Sequence, residues 1–149
     1  MLYRVYQRGF TLIETIAVTA IFGIFCMIAV PNFKTVMEDV KLQLAAQKLA
    51  QDIRTVQQQA MSEGESRKIL FDMYRCDSYQ ILRGLNSSRV YLPKGILLSW
   101  TNFPNNTLVF TPSGAPQQGG TIALKGERNK LFVIVNVATG RVRISETAP

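Results

Sequence analysis

Two helical patterns of hydrophobic residues fill the first half of the chain. From Phe10 to Val30 only one of the twenty-one residues is charged, and an apolar stretch of this length can span the hydrocarbon core of a bilayer. Beyond Pro31, apolar residues recur at intervals of three and four, which predicts one buried stripe on a helix. The stripe consists of Leu42, Ala45, Ala46, Leu49, Ile53, Val56 and Ala60. Since Gly64 supplies a stop signal, a single helix is predicted from about Phe10 to Ser62.

Short runs of β-like composition follow Gly64. Clusters of Gly, Pro, Asn and Ser separate them as predicted turns, and Asn86-Ser87-Ser88 is one such cluster. The predicted strands are Lys68–Tyr74, Ser78–Leu82, Ile96–Trp100, Thr107–Phe110, Thr121–Leu124, Leu131–Val137 and Arg141–Ser145. A helix followed only by strands predicts an α+β fold, in which an antiparallel β-sheet covers the helix stripe. The segment from Pro112 to Gly120 is predicted to be the most mobile loop.

The composition argues against catalysis. The chain of 149 residues contains no histidine, which removes the commonest general base and metal ligand. Carboxylates are present, but no recognisable nucleophile–base or metal-ligand spacing accompanies them. The sequence therefore predicts neither an enzyme nor a cofactor or metal site.

The whole net charge of +7 comes from the second half of the chain. From Arg67 onward eleven basic residues face four acidic ones, whereas the two kinds balance before that point. A basic domain favours an anionic partner such as DNA or membrane lipid. Many basic domains are merely soluble, so the charge alone leaves the partner open.

The single charge in the first apolar stretch is Glu14, one turn inside its start. A charge at the centre of a bilayer costs about 2.5–3.5 kcal/mol on insertion scales, and charges within spans are usually functional. Glu14 lies near the edge, where the cost is smaller, but the stretch contains no partner for it. Either the carboxylate reaches the membrane interface, or it pairs with a group on another molecule.

The segment from Arg8 to Phe33 resembles the class III signal of type IV prepilins and pseudopilins. The matching features are a basic leader, Gly9, Phe10, the run Thr-Leu-Ile-Glu that ends at Glu14, and an apolar helix. The resemblance implies that a prepilin peptidase cleaves after Gly9 and methylates Phe10. It also implies that Glu14 neutralises the N-terminus of a neighbouring subunit, and that the helix bends near Pro31.

On this resemblance the chain divides into four parts. Residues 1–9 form a cleaved prepilin leader peptide, 10–30 a transmembrane and assembly helix, 31–64 its continuation, and 65–149 a β-rich globular pilin domain. Arg4 and Arg8 precede the span, so the positive-inside rule predicts a single-pass cytoplasmic (inner) membrane protein with its N-terminus inside. The globular domain would then be periplasmic or extracellular. A secretory signal peptide fits poorly, because its apolar region is only about 7–15 residues long.

A second candidate site lies at the opposite end of the chain, in Gly140-Arg141-Val142-Arg143. On a strand Arg141 and Arg143 share one face, about 7 Å apart, and both guanidinium groups can meet phosphate oxygens. A set of three more basic residues joins them if the last strands form a hairpin; these are Lys125, Arg128 and Lys130. From the pattern alone, a turn glycine followed by a half-buried strand with solvated arginines is the favoured interpretation.

The C-terminal half is similar to the GspH/FimT branch of minor pilins, in Val109–Gly114 and in Gly140–Arg143. For FimT-like members this resemblance implies DNA binding through Arg141 and Arg143 during natural transformation, with Gly140 supporting the turn. For GspH-like members it implies a minor pseudopilin of a type II secretion system or a pilus-initiation subunit with no DNA-binding role. In both cases the expected partners are other pilins, contacted through the N-terminal helix, the prepilin peptidase and the inner membrane. An exported module that binds peptidoglycan or sugar remains an alternative.

Overall fold

The computed structural model describes residues 9–84 and 86–148, and within the helix the side chains of residues 28–33 are outside that description. One long helix, α1 (Leu12–Glu63), precedes eight strands that form two antiparallel sheets. The predicted α+β arrangement, a long helix followed by antiparallel strands, is confirmed. The chain divides into two compact units, Met1–Val36 and Met37–Pro149, and the predicted leader falls almost wholly outside the described residues.

The first unit contains the start of α1. The backbone N–H of Glu14 donates to two oxygens of Thr11, the carbonyl oxygen at 3.1 Å and the side-chain hydroxyl at 3.4 Å. Thr11 and Glu14 therefore have the spacing of a capping box, in which a Thr and a Glu three residues later satisfy the free N–H groups of a helix start. The large apolar side chains from Phe10 to Met27 are exposed, and Phe10 has 85% of its surface accessible.

In the described part of the chain, no helix combines the length and the apolarity that crossing a membrane requires. The span predicted for residues 10–30 stays a prediction, and the side chains of its last three residues are outside the description.

In the second unit, α1 buries the predicted stripe. All seven stripe residues belong to one hydrophobic core, and Ala50 joins them. The three- and four-residue spacing places them on one side of the helix because an α-helix has 3.6 residues per turn. The prediction of a helix covered by strands is thus confirmed for this half of α1.

The strands are β1 (Arg67–Phe71), β2 (Ser78–Arg83), β3 (Asn86–Tyr91), β4 (Leu97–Thr101), β5 (Thr107–Phe110), β6 (Gly120–Lys125), β7 (Lys130–Val135) and β8 (Val142–Ser145). One sheet has the order β3-β2-β1-β5 and the other β4-β6-β7-β8. Both contribute side chains to the core around α1, among them Ile69 and Phe71 from the first sheet and Ile122 and Val133 from the second. The edge strand that matters for the candidate site is β8.

Two details of the strand prediction are wrong. The prediction had one sheet, whereas the strands form two, because β4 pairs with β6 rather than with the strands that precede it. Asn86-Ser87-Ser88 was assigned to a turn, but these residues begin β3. The β2–β3 hairpin closes at the pair Arg83–Asn86, and Gly84, with φ of 56°, supplies the left-handed turn conformation.

Candidate nucleic-acid interface

Arg141 immediately precedes β8, the edge strand of the second sheet, and Arg143 is the second residue of that strand. Arg143 is opposite Ile134 of β7, and Val142 is opposite Val135. Val142 is turned into the core with 7% of its surface accessible, whereas both arginines are exposed. The alternation predicted from the sequence is therefore present in the structure, and it leaves the two guanidinium groups free of the core.

The turn before Arg141 requires a glycine. Asn136 and Gly140 close it, because the Gly140 N–H donates to the Asn136 carbonyl at 2.9 Å and the Asn136 N–H donates to the Arg141 carbonyl at 3.0 Å. Gly140 has φ of 63°, a left-handed conformation that side chains disfavour. A Cβ at this position would also overlap Nε2 of Gln57 on α1. Two independent constraints thus make Gly140 part of the site's framework.

Gln57 connects this turn to the loop after β5. Its Nε2 donates a 2.8 Å hydrogen bond to the carbonyl of Gly114, and a Cβ at Gly114 would lie 2.5 Å from the side chain of Met61. The segments Val109–Gly114 and Gly140–Arg143, which are far apart in the sequence, therefore meet at one face of α1. The loop predicted to be the most mobile is held there by this contact and by the Gln117 N–H, which donates to Val109 at 2.9 Å.

A third arginine, Arg54, lies next to β8 and the turn before it. Nη2 of Arg54 on α1 donates a 2.9 Å hydrogen bond to the carbonyl of Val142, 88 positions later in the sequence. The sequence reasoning did not include Arg54. A signal was present, because Arg54, Gln57, Gln58 and Met61 repeat at helical spacing on the side of α1 that the core stripe does not use.

These elements enclose a cleft of about 1010 Å³. One wall is α1, and the other comprises the edge strand and the turn before it. The lining residues are Arg54, Gln57, Gln58, Met61, Ile134, Asn136, Thr139, Gly140, Arg141, Val142 and Arg143. Three of them are arginines and none is acidic. Arginine guanidinium groups bind phosphate and carboxylate with two parallel hydrogen bonds, so the cleft has the chemistry of an anion-binding site.

The other predicted basic residues lie elsewhere. Lys125 and Lys130 face each other at the turn between β6 and β7, with Arg128 in that turn. Arg143 is opposite Ile134, four residues further along β7 than Lys130, which corresponds to about 13 Å. The last strands do form hairpins, but the antiparallel register places the two basic groups near opposite ends of β7. The structure therefore does not bring these three residues to the arginines.

The basic turn between β6 and β7, which carries Lys125, Arg128 and Lys130, differs from the first cleft in having acidic residues beside it. Arg128 and Lys130 line a separate cleft of about 560 Å³, to which Asp39 and Glu146 contribute carboxylates. The Asn129 side chain donates to Asp39 at 2.8 Å. Because acidic groups share this second cleft, its net charge is lower than that of the cleft lined by Arg54, Arg141 and Arg143, which we call the arginine cleft.

Glu14, at the other end of the chain, has no side-chain hydrogen bond or ion pair to any residue that the structure describes. Its position in the first turn of α1 is favourable for a negative charge, because the free N–H groups of a helix start carry partial positive charge. The carboxylate is thus held at a helix end and is available to a partner outside the described residues.

Two family models match the chain. Residues 4–30 match the prokaryotic N-terminal methylation motif, and residues 45–145 match type II transport protein GspH. The second match covers more than half of the chain and includes α1 from Ala45, all eight strands and the arginine cleft.

Individual proteins are similar over most of the chain. Competence protein ComGD of Bacillus subtilis (strain 168) is 27% identical over 138 residues, which are 93% of both chains. The type IV minor pilin FimU of Pseudomonas aeruginosa has a TM-score of 0.60 at 18% identity, covering 76% of this chain and 96% of its own. The minor pseudopilin EpsH from the type 2 secretion system of Vibrio cholerae has a TM-score of 0.58 at 14% identity, covering 71% and 97%. At such identities the two structures establish the fold.

Proposed function

The chain belongs to the GspH family of type II transport proteins, whose fold is that of minor pilins and pseudopilins, and on that premise we propose that it is a competence pilin that binds DNA. Its similarity to a protein named for competence supports the biological setting. The arginine cleft supports the ligand, since it presents three guanidinium groups and no carboxylate.

The proposed maturation starts at Gly9-Phe10. The methylation motif over residues 4–30 supports cleavage after Gly9 and methylation of Phe10 by a prepilin peptidase. The exposed apolar side chains between Phe10 and Met27 then serve as the cytoplasmic-membrane anchor and as the contact surface for other pilins. The β-rich domain, residues 65–149, is on the outer side of that membrane.

Glu14 provides the proposed driving force for assembly. Cleavage creates an amino group at Phe10, in an apolar environment where an unpaired charge is unfavourable. The Glu14 carboxylate is also an unpaired charge, because it has no ion-pair partner within the described residues. When subunits stack, the carboxylate of one neutralises the N-terminus of its neighbour, so the filament is favoured over the isolated subunit.

DNA capture in this proposal is electrostatic and independent of sequence. Arg141 and Arg143 contact phosphate oxygens, which are present at every nucleotide. Each phosphate neutralised by a protein cation releases a condensed counterion, so affinity falls steeply as salt rises. The observation that carries the proposal is the placement of both arginines in one cleft with no acidic lining residue.

A binding titration tests the proposed ligand. The full chain, purified in a zwitterionic detergent, is titrated with fluorescent duplex DNA at several salt concentrations. Arg141→Ala with Arg143→Ala should weaken binding about tenfold or more and lower the slope of log affinity against log salt by about two. The matched control is Arg83→Ala with Lys94→Ala, two exposed residues outside the cleft. Equal binding by the two double variants would contradict the proposed site.

The second candidate function is that of a secretion pseudopilin with no DNA-binding role. The description of the family model, a type II transport protein, favours it. Deleting the chain separates the candidates. Loss of DNA uptake with normal protein secretion supports the competence pilin, and loss of secretion with normal uptake supports the pseudopilin.

A further inference from the structure

We infer that Arg54 is a third phosphate-binding residue and that DNA phosphates are held between α1 and β8 rather than on β8 alone, an inference that rests on the proposed function. Arg54 is the cationic residue that α1 contributes to the lining of the arginine cleft. Arg141 and Arg143 line the same cleft from the side of β8 and the turn before it.

Among the described residues, the Arg54 side chain makes one hydrogen bond, and that bond leaves its charge available. A guanidinium group has five N–H donors, and the Val142 carbonyl accepts from Nη2. That acceptor is neutral, so the contact orients the group without cancelling its charge. A guanidinium held in this way loses less side-chain freedom when it binds a phosphate than a fully mobile one.

Two other cations, one on α1 and one just after it, differ from Arg54 in being paired with carboxylates. Lys48 forms an ion pair with Asp52 at 2.7 Å, and the buried Arg67 pairs with Glu63 and Glu65. None of the ion pairs within the described ranges includes Arg54. A positive charge that is ordered, exposed and not neutralised by a carboxylate is the kind of group that contacts nucleic-acid backbones.

The position of Arg54 changes the shape of the site. Two arginines, one in the edge strand and one just before it, form a line of charge, whereas a third on α1 makes a two-walled groove. Phosphates that enter the groove receive hydrogen bonds from both walls, which orients the DNA backbone along the seam between α1 and β8. Gln57 and Gln58 add neutral hydrogen-bonding groups to the helix wall.

The test is the salt dependence of DNA binding by the full chain in zwitterionic detergent. Arg54→Gln should weaken binding about fivefold and lower the slope of log affinity against log salt by about one, as expected for the loss of one phosphate contact. Arg83→Gln, which removes an exposed charge from the end of β2, is the matched control and should leave the slope unchanged. Arg54→Lys keeps the charge and should retain most of the slope.

The possible outcomes separate the two proposals. If Arg54→Gln behaves like Arg83→Gln while the Arg141/Arg143 double variant loses binding, the inference about Arg54 is overturned and the proposed function stands. If the wild-type chain does not bind DNA, both are overturned. Thermal unfolding of each variant controls for a structural role. A loss of affinity that parallels a lower unfolding temperature, in both the Gln and the Lys variant, would also overturn the inference.

Discussion

The buried hydroxyl of Tyr79 donates a 2.7 Å hydrogen bond to Oδ2 of Asp52, and this bond links β2 to α1. The other carboxylate oxygen, Oδ1, accepts from Lys48 at 2.7 Å. Tyr79 has 1% of its surface accessible, so water cannot replace the partner of its hydroxyl if the bond is broken. The pair is therefore a polar contact beside the hydrophobic core, to which Tyr79 itself belongs.

Replacing Tyr79 tests the contribution of this contact to stability. Tyr79→Phe leaves one oxygen of Asp52 without its buried donor and should lower the free energy of unfolding by about 1–3 kcal/mol. Urea denaturation of the full chain in detergent measures the change. Tyr74→Phe is the control, because Tyr74 is 97% exposed and its hydroxyl is in water. Equal stability of the two variants would contradict the assigned role.

The same tyrosine should make stability depend on alkaline pH. Burial, and then the hydrogen bond to the charged Asp52, raise the pKa of Tyr79 well above its ordinary value. The unfolded chain therefore releases this proton first, at about pH 10. Stability from Tyr79 is complete below that pH and decreases above it, by about 1.4 kcal/mol per pH unit. Unfolding between pH 8 and 11 should show a steeper decrease for the wild type than for Tyr79→Phe.

Gly140 and Gly84 form a matched pair for the turn before Arg141. Both have positive φ, but a Cβ at Gly84 meets no atom within 4 Å, whereas one at Gly140 overlaps Gln57. Gly84→Ala should cost about 1–2 kcal/mol through backbone strain alone. Gly140→Ala should cost more and should also weaken DNA binding. Adding Gln57→Ala should recover part of the extra loss, and a lack of any recovery would argue against the contact as its cause.

Glu14 should be needed for assembly but not for processing. Glu14→Ala removes the carboxylate that is proposed to neutralise a neighbouring N-terminus, so the variant should be cleaved normally and excluded from filaments. Mass spectrometry of the N-terminus reports cleavage, and the fraction of the protein in sheared filaments reports assembly. Glu127→Ala, an exposed acidic residue in the turn between β6 and β7, is the control. Normal incorporation of the Glu14 variant would refute this role.

The basic turn between β6 and β7 should matter little for DNA binding. Lys125→Gln with Lys130→Gln removes two charges, the same number as the double change at Arg141 and Arg143. Lys130 lies about 13 Å along β7 from the position opposite Arg143. At physiological salt the Debye length is about 8 Å, so the distant charges are largely screened. The salt slope should therefore stay close to that of the wild type. A decrease by two would show that the turn contacts DNA directly.

Local patterns in the sequence were sufficient for much of the fold. The stripe from Leu42 to Ala60 is helical because its spacing matches the helix period, and strand β8 (Val142–Ser145) lies where apolar and polar residues alternate. β3 was missed because it is a polar, exposed edge strand, in which burial does not impose alternation. The division into two sheets depends on pairing between distant strands, which no local pattern contains.

The candidate site was predicted in part for the same reason. Arg141 and Arg143 are two residues apart, so strand geometry alone places them together. Arg54 joins them only through tertiary contact across 88 positions. Lys125 and Lys130 are predicted to join the arginines if the last strands form a hairpin; the hairpins form, but the register of β7 separates both lysines from Arg143. Proximity along the chain indicates proximity in space only within one element or turn.

The bond between Arg54 and Val142 has a consequence for how these subunits can meet. β8 is an edge strand, and the unpaired backbone groups of such an edge are a template for strand addition and uncontrolled aggregation. Arg54 occupies the Val142 carbonyl that an incoming strand would use, and it places a charge beside that edge. Removing Arg54 therefore frees a backbone acceptor on this edge, at which a strand of a second copy can pair.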